Sequence, residues 1–286
     1  MSENSVMLVG SGAVRAHPYR GGTCQILTIN GRNLLIDCGR NAVHNMSRFG
    51  KPVETIDEIY ISHLHFDHVC DLPMLMLLSW NNGRSKRIPI YGPQGMRHFM
   101  DHWLRLAYAD DIHSRTELAK KNPEYLEWDV YEIAQETGLV REANDFRIES
   151  LRTRHGGLDN HSFRIDVGET RIVITSDSEP DPRLAQFCQG ADLLIIECSG
   201  TDEFYKTQTW GGWHMSPEYV GELARDACAG QVVLKHLVIE SFTRDPEISQ
   251  KMADTANAIH SKGKVFAGED GMTFSFDTCG HVEKRR

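Results

Sequence analysis

From Ser62 to His68 the chain reads Ser-His-Leu-His-Phe-Asp-His, three imidazoles and a carboxylate directly after the apolar run Ile59-Tyr60-Ile61. Imidazole and carboxylate are the donors that zinc and similar borderline divalent ions accept, and a turn with this spacing can aim two donors at one ion and two at a second. Four such groups packed against a buried strand are hard to reconcile with ordinary turn chemistry. The loop predicts a two-metal centre, and such a centre needs more ligands than the loop contains.

The missing ligands are sought at the ends of other strands, where open αβ folds bind their ligands. His155 follows the predicted strand 146–151 in Thr153-Arg154-His155-Gly156-Gly157, where glycines permit close backbone approach. Asp177 closes the strand 171–175, where a carboxylate can bridge two ions, and His236 ends the run Val232-Val233-Leu234-Lys235. Taken singly, each would more often be a satisfied polar residue than a ligand. Their common position at strand ends joins them to the loop.

The remaining pattern is that of one αβ domain spanning 1–286. A hairpin is predicted from 24–29 to 33–36 across Asn30-Gly31, and Asp71 with Pro73 starts a helix after the loop. Residues 94–132 read as a helical insertion, with Trp103, Leu104, Leu106, Ala107 and Tyr108 as an apolar patch. Apolar runs at 193–197 and 232–235 predict strands covered on both faces. Ser216-Pro217-Glu218 and Asp245-Pro246-Glu247 start two further helices, and residues 277–286 are expected to fray.

Composition narrows the setting. With 40 acidic against 31 basic residues the formal charge is −9, which repels polyanions and argues against a nucleic-acid partner. The N-terminus lacks a basic, cleavable leader, and no apolar run reaches the roughly 18 residues of a membrane span. Seven cysteines without a Cys-x-x-Cys pair fit reduced thiols, so a cytoplasmic location is expected.

The motif Ser62–His68 followed by Asp71-Leu72-Pro73 resembles the signature of the metallo-β-lactamase superfamily, nearest to its ribonuclease Z-like branch, which also holds small phosphodiesterases and arylsulfatases. The likeness runs from Val6–Gly10 through Leu35-Ile36-Asp37-Cys38-Gly39 to Glu269-Asp270-Gly271-Met272. It implies a four-layer αβ/βα sandwich with the metals at one edge. By motif, His63, His65 and His155 would hold one ion, Asp67, His68 and His236 the other, and Asp177 would bridge them. His214 matches a histidine that assists the leaving group in that branch, and a homodimer is typical of it. Two divalent ions, zinc first with manganese or iron as alternatives, lower the pKa of a shared water to give a hydroxide that Asp67 orients.

Departures from that pattern bear on substrate. Only 22 residues separate His155 from Asp177, so the long arm by which ribonuclease Z proteins hold transfer RNA is absent. Cys70 stands where glycine is usual, and Ser176 and Ser178 flank Asp177. Phe204, Tyr205, Trp210 and Trp213 precede His214 around Gly211-Gly212 and suggest a wall for a flat or apolar group. Arg15, Arg20, Arg152 and Arg154 would favour an anionic leaving group. The expected activity is hydrolysis of a small phosphodiester, with a lactone, carboxylic or sulfate ester next. An RNA nuclease and a non-catalytic metal-stabilised scaffold are the competing readings.

Overall fold

The computed structural model describes residues 4–239 and 241–285. One sheet contains β1 (Asn4–Gly10), β2 (Cys24–Ile29), β3 (Arg32–Ile36), β4 (Ile56–Tyr60), β5 (Ile88–Gly92) and β6 (Trp128–Glu132). The other contains β7 (Thr137–Glu142), β8 (Arg147–Arg152), β9 (His161–Val167), β10 (Thr170–Ile174), β11 (Leu193–Glu197), β12 (Gln231–Lys235) and β13 (Lys264–Ala267). The chain then returns to the first sheet as β14 (Thr273–Phe276) and β15 (Val282–Lys284). Strand orders are β15-β14-β1-β2-β3-β4-β5-β6 and β13-β12-β11-β10-β9-β8-β7.

Alternation along the strands divides the core into three apolar layers. Leu8, Leu27 and Ile36 point inward and meet Ile148, Phe163, Ile195 and Val233 of the facing sheet. Their neighbours Ile26, Leu35 and Ile59 point outward and pack under helices α1 (Ala42–Arg48), α3 (Leu72–Asn81) and α4 (Met96–Asp101) through Met46, Leu75 and Met100. Between α1 and α3 lies the short α2 (Phe66–Val69), and α5 (Ala109–Glu117) follows α4. On the other side, α6 (Arg183–Phe187), α8 (Pro217–Asp226) and α9 (Asp245–Ile259) set Leu184, Val220 and Met252 against Val173, Leu194 and Val232, while α7 (Asp202–Tyr205) lies in the α6 to α8 connection. The four-layer αβ/βα sandwich expected from sequence is therefore present.

Several local features follow from identifiable chemistry. Asn30 and Gly31 both adopt positive φ, 49° and 84°, as a two-residue hairpin turn requires, and they join antiparallel β2 and β3. Ser216 caps α8 by accepting from the Tyr219 amide at 3.4 Å. Strand β11 is buried along its whole length, in keeping with parallel pairing to both β10 and β12.

Three expectations need correction. The insertion is helical only in part: residues 102–107 wind as a π-helix, and 128–132 form β6, because Trp128 and Val130 bury against the sheet in parallel register with Ile88 and Ile90. Asp71 stands at the N-cap position of α3, with Pro73 in the first turn, but its side chain makes no capping bond; the carboxylate accepts instead from the Val43 amide at 3.2 Å. The C-terminal segment is not frayed through its described length, since Val282 pairs with Phe276 and extends the first sheet as β15. Strand β7, half exposed, is held by its ladder to β8.

Candidate metal centre

Parallel pairing brings the ends of the carrying strands to one edge. Strands β10, β11 and β12 run in parallel, and β8 shares their direction because β9 is antiparallel to both β8 and β10. The residues just past β4, β8, β10, β11 and β12 therefore converge, and they include the His-rich loop, His155, Asp177, Ser199 and His236.

The loop is held at its start by Asp37, whose Oδ1 accepts from the Ser62 amide at 2.8 Å and whose Oδ2 lies 2.9 Å from His68 Nδ1. At its far end the loop backbone is pressed against two glycines. A Cβ on Gly39 would sit 2.2 Å from the Asp67 carbonyl oxygen, and one on Gly22 would sit 3.0 Å from the same oxygen. Asp37 and His236 adopt left-handed φ of 57° and 61°, conformations that non-glycine residues hold only where surrounding structure enforces them.

All seven sequence-predicted ligands meet. His63 Nε2 lies 2.9 Å from His65 Nδ1, and His155 Nε2 lies 3.1 Å from the same atom. His155 Nδ1 faces the Trp213 carbonyl oxygen at 3.1 Å and must donate to it, so Nε2 carries a lone pair. Opposite this nitrogen-rich set, His236 Nε2 stands 3.2 Å from Asp67 Oδ2 and 3.0 Å from Asp177 Oδ2, while His68 Nε2 stands 3.3 Å from Asp177 Oδ2. Asp177 Oδ2 is also 3.7 Å from His155 Nε2, so its carboxylate faces both sets.

Charge separates the two halves. Burial, followed by the neighbouring His68, holds His63 well below its ordinary range, and burial also lowers His65 and His155. Burial opposes charging of His68 as well, but Asp177 and Asp37 outweigh it and push that imidazole up to about 10. His236 is raised to about 9 in the same way, chiefly against burial by Asp177. For Asp67, burial is overcome by hydrogen bonding from His236 and by the charge of His68, which keep the carboxyl at about 2.

These residues fit divalent metal ions. His68 Nε2 and Asp177 Oδ1 are buried without a hydrogen-bond partner, and convergent imidazole lone pairs beside buried carboxylates form a donor set that lacks only a cation. Outer partners fix the tautomers. Ser62 Oγ is 3.0 Å and Ser176 Oγ 3.4 Å from His63 Nδ1, and Ser199 Oγ is 2.8 Å from His236 Nδ1. Ser176 therefore does enter the hydrogen bonding around a ligand.

His214 stands beside this centre, its ring stacked on His236 at 5.5 Å and 19°. Its Nδ1 lies 3.1 Å from Ser199 Oγ and 3.4 Å from Glu197 Oε2. Glu197 also accepts from the Met215 amide at 2.8 Å, which fixes the segment carrying His214. Sequence reasoning missed Glu197 by counting it with the apolar run 193–197; a carboxylate closing a fully buried strand was the available signal.

A cleft of about 260 Å³ opens onto His65, Asp67, His155, Asp177, His214 and His236. Its rim is apolar: Val14, Phe66, Trp210, Trp213 and Val238. Trp210 and Trp213 thus reach the cleft, but Phe204 and Tyr205 do not. Both are buried in a small core with Ala13 and Val238, and the Tyr205 hydroxyl is used internally, donating to the Met215 carbonyl at 2.9 Å. Phe66, within the ligand loop and 65% exposed, is the aromatic wall residue that sequence reading overlooked. Cys70 is not part of the cleft wall.

The family model described as Anti-Pycsar protein Apyc1 matches residues 5–210. The chain belongs to that family. Its relatives place the Apyc1-family chain in the ribonuclease Z-like branch of the metallo-β-lactamase superfamily. The probable metallo-hydrolase YhfI of Bacillus subtilis is 30% identical, with 72% of this chain and 75% of YhfI aligned. The crystal structure of YhfI superposes with a TM-score of 0.74, covering 96% of this chain and all of that one. Ribonuclease Z of Clostridium kluyveri is 40% identical over 93% of this chain and 96% of its own. Unliganded yeast PDE1 shares the fold at a TM-score of 0.70 and 14% identity, covering 96% of this chain and all of PDE1. The protein is therefore a metallo-β-lactamase-fold hydrolase, a class that uses divalent metal ions. Among its described residues no helix is long and apolar enough to cross a membrane.

Proposed function

We propose that the protein is a dinuclear hydrolase of a small phosphodiester. The observation that carries this reading is the Asp177 carboxylate facing both donor sets, with His214 and Glu197 alongside. His63, His65 and His155 would hold one divalent ion and Asp67, His68 and His236 the other, with Asp177 shared; zinc suits these donors best, with manganese or iron next. Bound there, the ions would supply Lewis acidity and an acidified water.

The chain's own groups do the rest. Asp67, ionised at neutral pH, is the acceptor that orients the attacking water. His214, with Nδ1 turned to Glu197 and Ser199, holds a proton at Nε2 for the departing oxygen. The apolar rim of Val14, Phe66, Trp210 and Trp213 excludes water and presents flat faces to an aryl or heterocyclic group.

Cleft size, the acidic charge and the short β9-β10 hairpin in place of an arm favour a small ester over a folded polynucleotide. The relative from Clostridium kluyveri is a ribonuclease Z, which counts against the expectation that nucleic acid is an unlikely partner; RNA cleavage is the second reading. A single domain and a homodimer belong to the same proposal, as does a cytoplasmic setting, which seven unpaired cysteines favour. The test is a panel of bis-aryl phosphate, aryl sulfate, lactone and RNA, run on wild type and Asp67→Ala. A dominant rate on the phosphodiester that falls in the variant is expected. Unchanged turnover in Asp67→Ala would contradict the mechanism, and a dominant rate on RNA would select the second reading.

A further inference from the structure

Strand β9 lies between β8 and β10 in the second sheet and runs antiparallel to both. Its first end therefore faces the last residues of its two neighbours, where the chain leaves β8 towards His155 and β10 towards Asp177. Asn160, immediately before β9, places an uncharged and fully buried amide in that gap.

Each bonding position of this amide is occupied. Nδ2 donates to the Asp177 carbonyl oxygen at 2.6 Å and to Thr153 Oγ1 at 2.8 Å, while Oδ1 accepts from Ser176 Oγ. A carbonyl oxygen can only accept, which fixes the orientation of the amide and leaves Oδ1 turned to Ser176. The Asn160 backbone carbonyl also accepts from the Thr153 amide at 2.9 Å and closes the loop 153–160 that carries His155.

These bonds reach three of the candidate ligands. Asp177 is held through its own backbone, and His155 stands two residues beyond Thr153, on the loop whose base Asn160 closes. His63 is reached through Ser176. Because the Ser176 hydroxyl gives its proton to Asn160 Oδ1, its oxygen faces His63 Nδ1, 3.4 Å away, as an acceptor. Ser62 acts likewise: its hydroxyl donates to Asp37 Oδ2 at 3.0 Å, and its oxygen lies 3.0 Å from His63 Nδ1. Both serines thus favour the tautomer that carries its proton on Nδ1 and its lone pair on Nε2, the atom turned towards His65.

We propose that Asn160 is a positioning residue for the metal centre, whose amide sets the shared carboxylate of Asp177 against the donors of His63 and His155. The proposal rests on the two-ion reading for the number of ions, and on hydrogen-bond geometry alone for the positioning. Asn160→Asp is the discriminating substitution, because it is nearly isosteric and keeps an acceptor for Ser176. It turns a carboxylate oxygen, in place of the donor, towards the Asp177 carbonyl.

The test loads chelator-stripped wild type, Asn160→Asp and Ser176→Ala with zinc in competition with a chromogenic chelator, and separately with cobalt(II) followed by its visible absorption. Asn160→Asp should bind zinc about 10- to 100-fold more weakly, the scale of losing an outer partner of a ligand, and should alter the cobalt bands as the donors move. Ser176→Ala leaves Ser62 on His63 and should weaken binding less than Asn160→Asp does. A substitution that only destabilised the fold would lower the urea midpoint of the metal-free protein and leave the cobalt bands of the loaded protein as they are. Should Asn160→Asp fail to fold, Asn160→Ser, smaller and uncharged, is measured in its place with the same expectation. Wild-type zinc affinity or wild-type cobalt bands in the variant would overturn the positioning role. If wild type itself saturates with one ion, the two-ion reading fails, and whether that ion is weakened in the variant still decides the role of Asn160.

Discussion

Glu197 Oε2 lies 3.4 Å from His214 Nδ1, with both side chains nearly sealed from solvent. Such a pair fixes the orientation of the imidazole beside the cleft, as a third group orients a general acid in other sites. Glu197→Gln and His214→Ala should each reduce kcat by about 10²-fold or more for a diester with a poor leaving group, the range typical of general acid catalysis. The loss should shrink for nitrophenolate, which departs without a proton. Rates across a leaving-group series check this; equal losses for good and poor leaving groups would assign His214 another role.

Asp37 touches no proposed metal position, yet it fixes both Ser62 and His68. Asp37→Ala should weaken metal affinity about 10- to 100-fold, as removal of outer partners of ligand histidines commonly does. Competition with a chromogenic chelator measures it, and wild-type affinity in the variant would contradict the role.

The tight approach of Gly39 to the Asp67 carbonyl oxygen gives a stability prediction. Gly39→Ala must shift backbone and should destabilise the chain by about 1–3 kcal/mol, the usual range for overpacking, while displacing Asp67 and lowering activity. Gly212, where an added methyl group would point into open space, is the control: Gly212→Ala should be close to neutral in urea unfolding. Equal effects at the two positions would contradict the packing account.

Much of the centre was legible because metal chemistry uses few residue types and parallel topology gathers strand ends. His155, Asp177 and His236 could be named from the ends of apolar runs without any contact being known. What escaped were residues whose role depends on geometry alone. Phe66 carries no signal of its own between the ligands, and Glu197 reads as the polar end of an apolar strand; only the fold shows one at the cleft rim and the other against His214. Phe204 and Tyr205 failed in the opposite sense, since an aromatic cluster in sequence does not reveal which rings face a cavity and which fill a core. The strand at 128–132 was hidden because its alternation covers only Trp128 and Val130 before two exposed residues, too short a pattern to stand out beside the helical one preceding it.

His17 offers a test of pH dependence away from the metal ligands. It is buried against Phe242 with Asp245, Arg20, Arg40 and Asp270 around it, and burial, the largest influence, lowers its pKa despite Asp245. The unfolded chain therefore binds a proton below about pH 6.5 that the folded chain resists, so stability is full above that value and declines as pH falls. His17→Gln should remove this part of the decline. Urea unfolding of both proteins between neutral and mildly acidic pH measures it, and parallel curves would contradict the assignment.

The central claim, a shared-carboxylate site for two ions that cleaves a phosphodiester, is tested most directly by titrating zinc into chelator-stripped protein while following hydrolysis of a bis-aryl phosphate. Activity should be absent without metal, should rise steeply with the second equivalent and should level at two ions per chain. Full activity without metal, saturation at a single ion, or two bound ions with no phosphodiester turnover would contradict it.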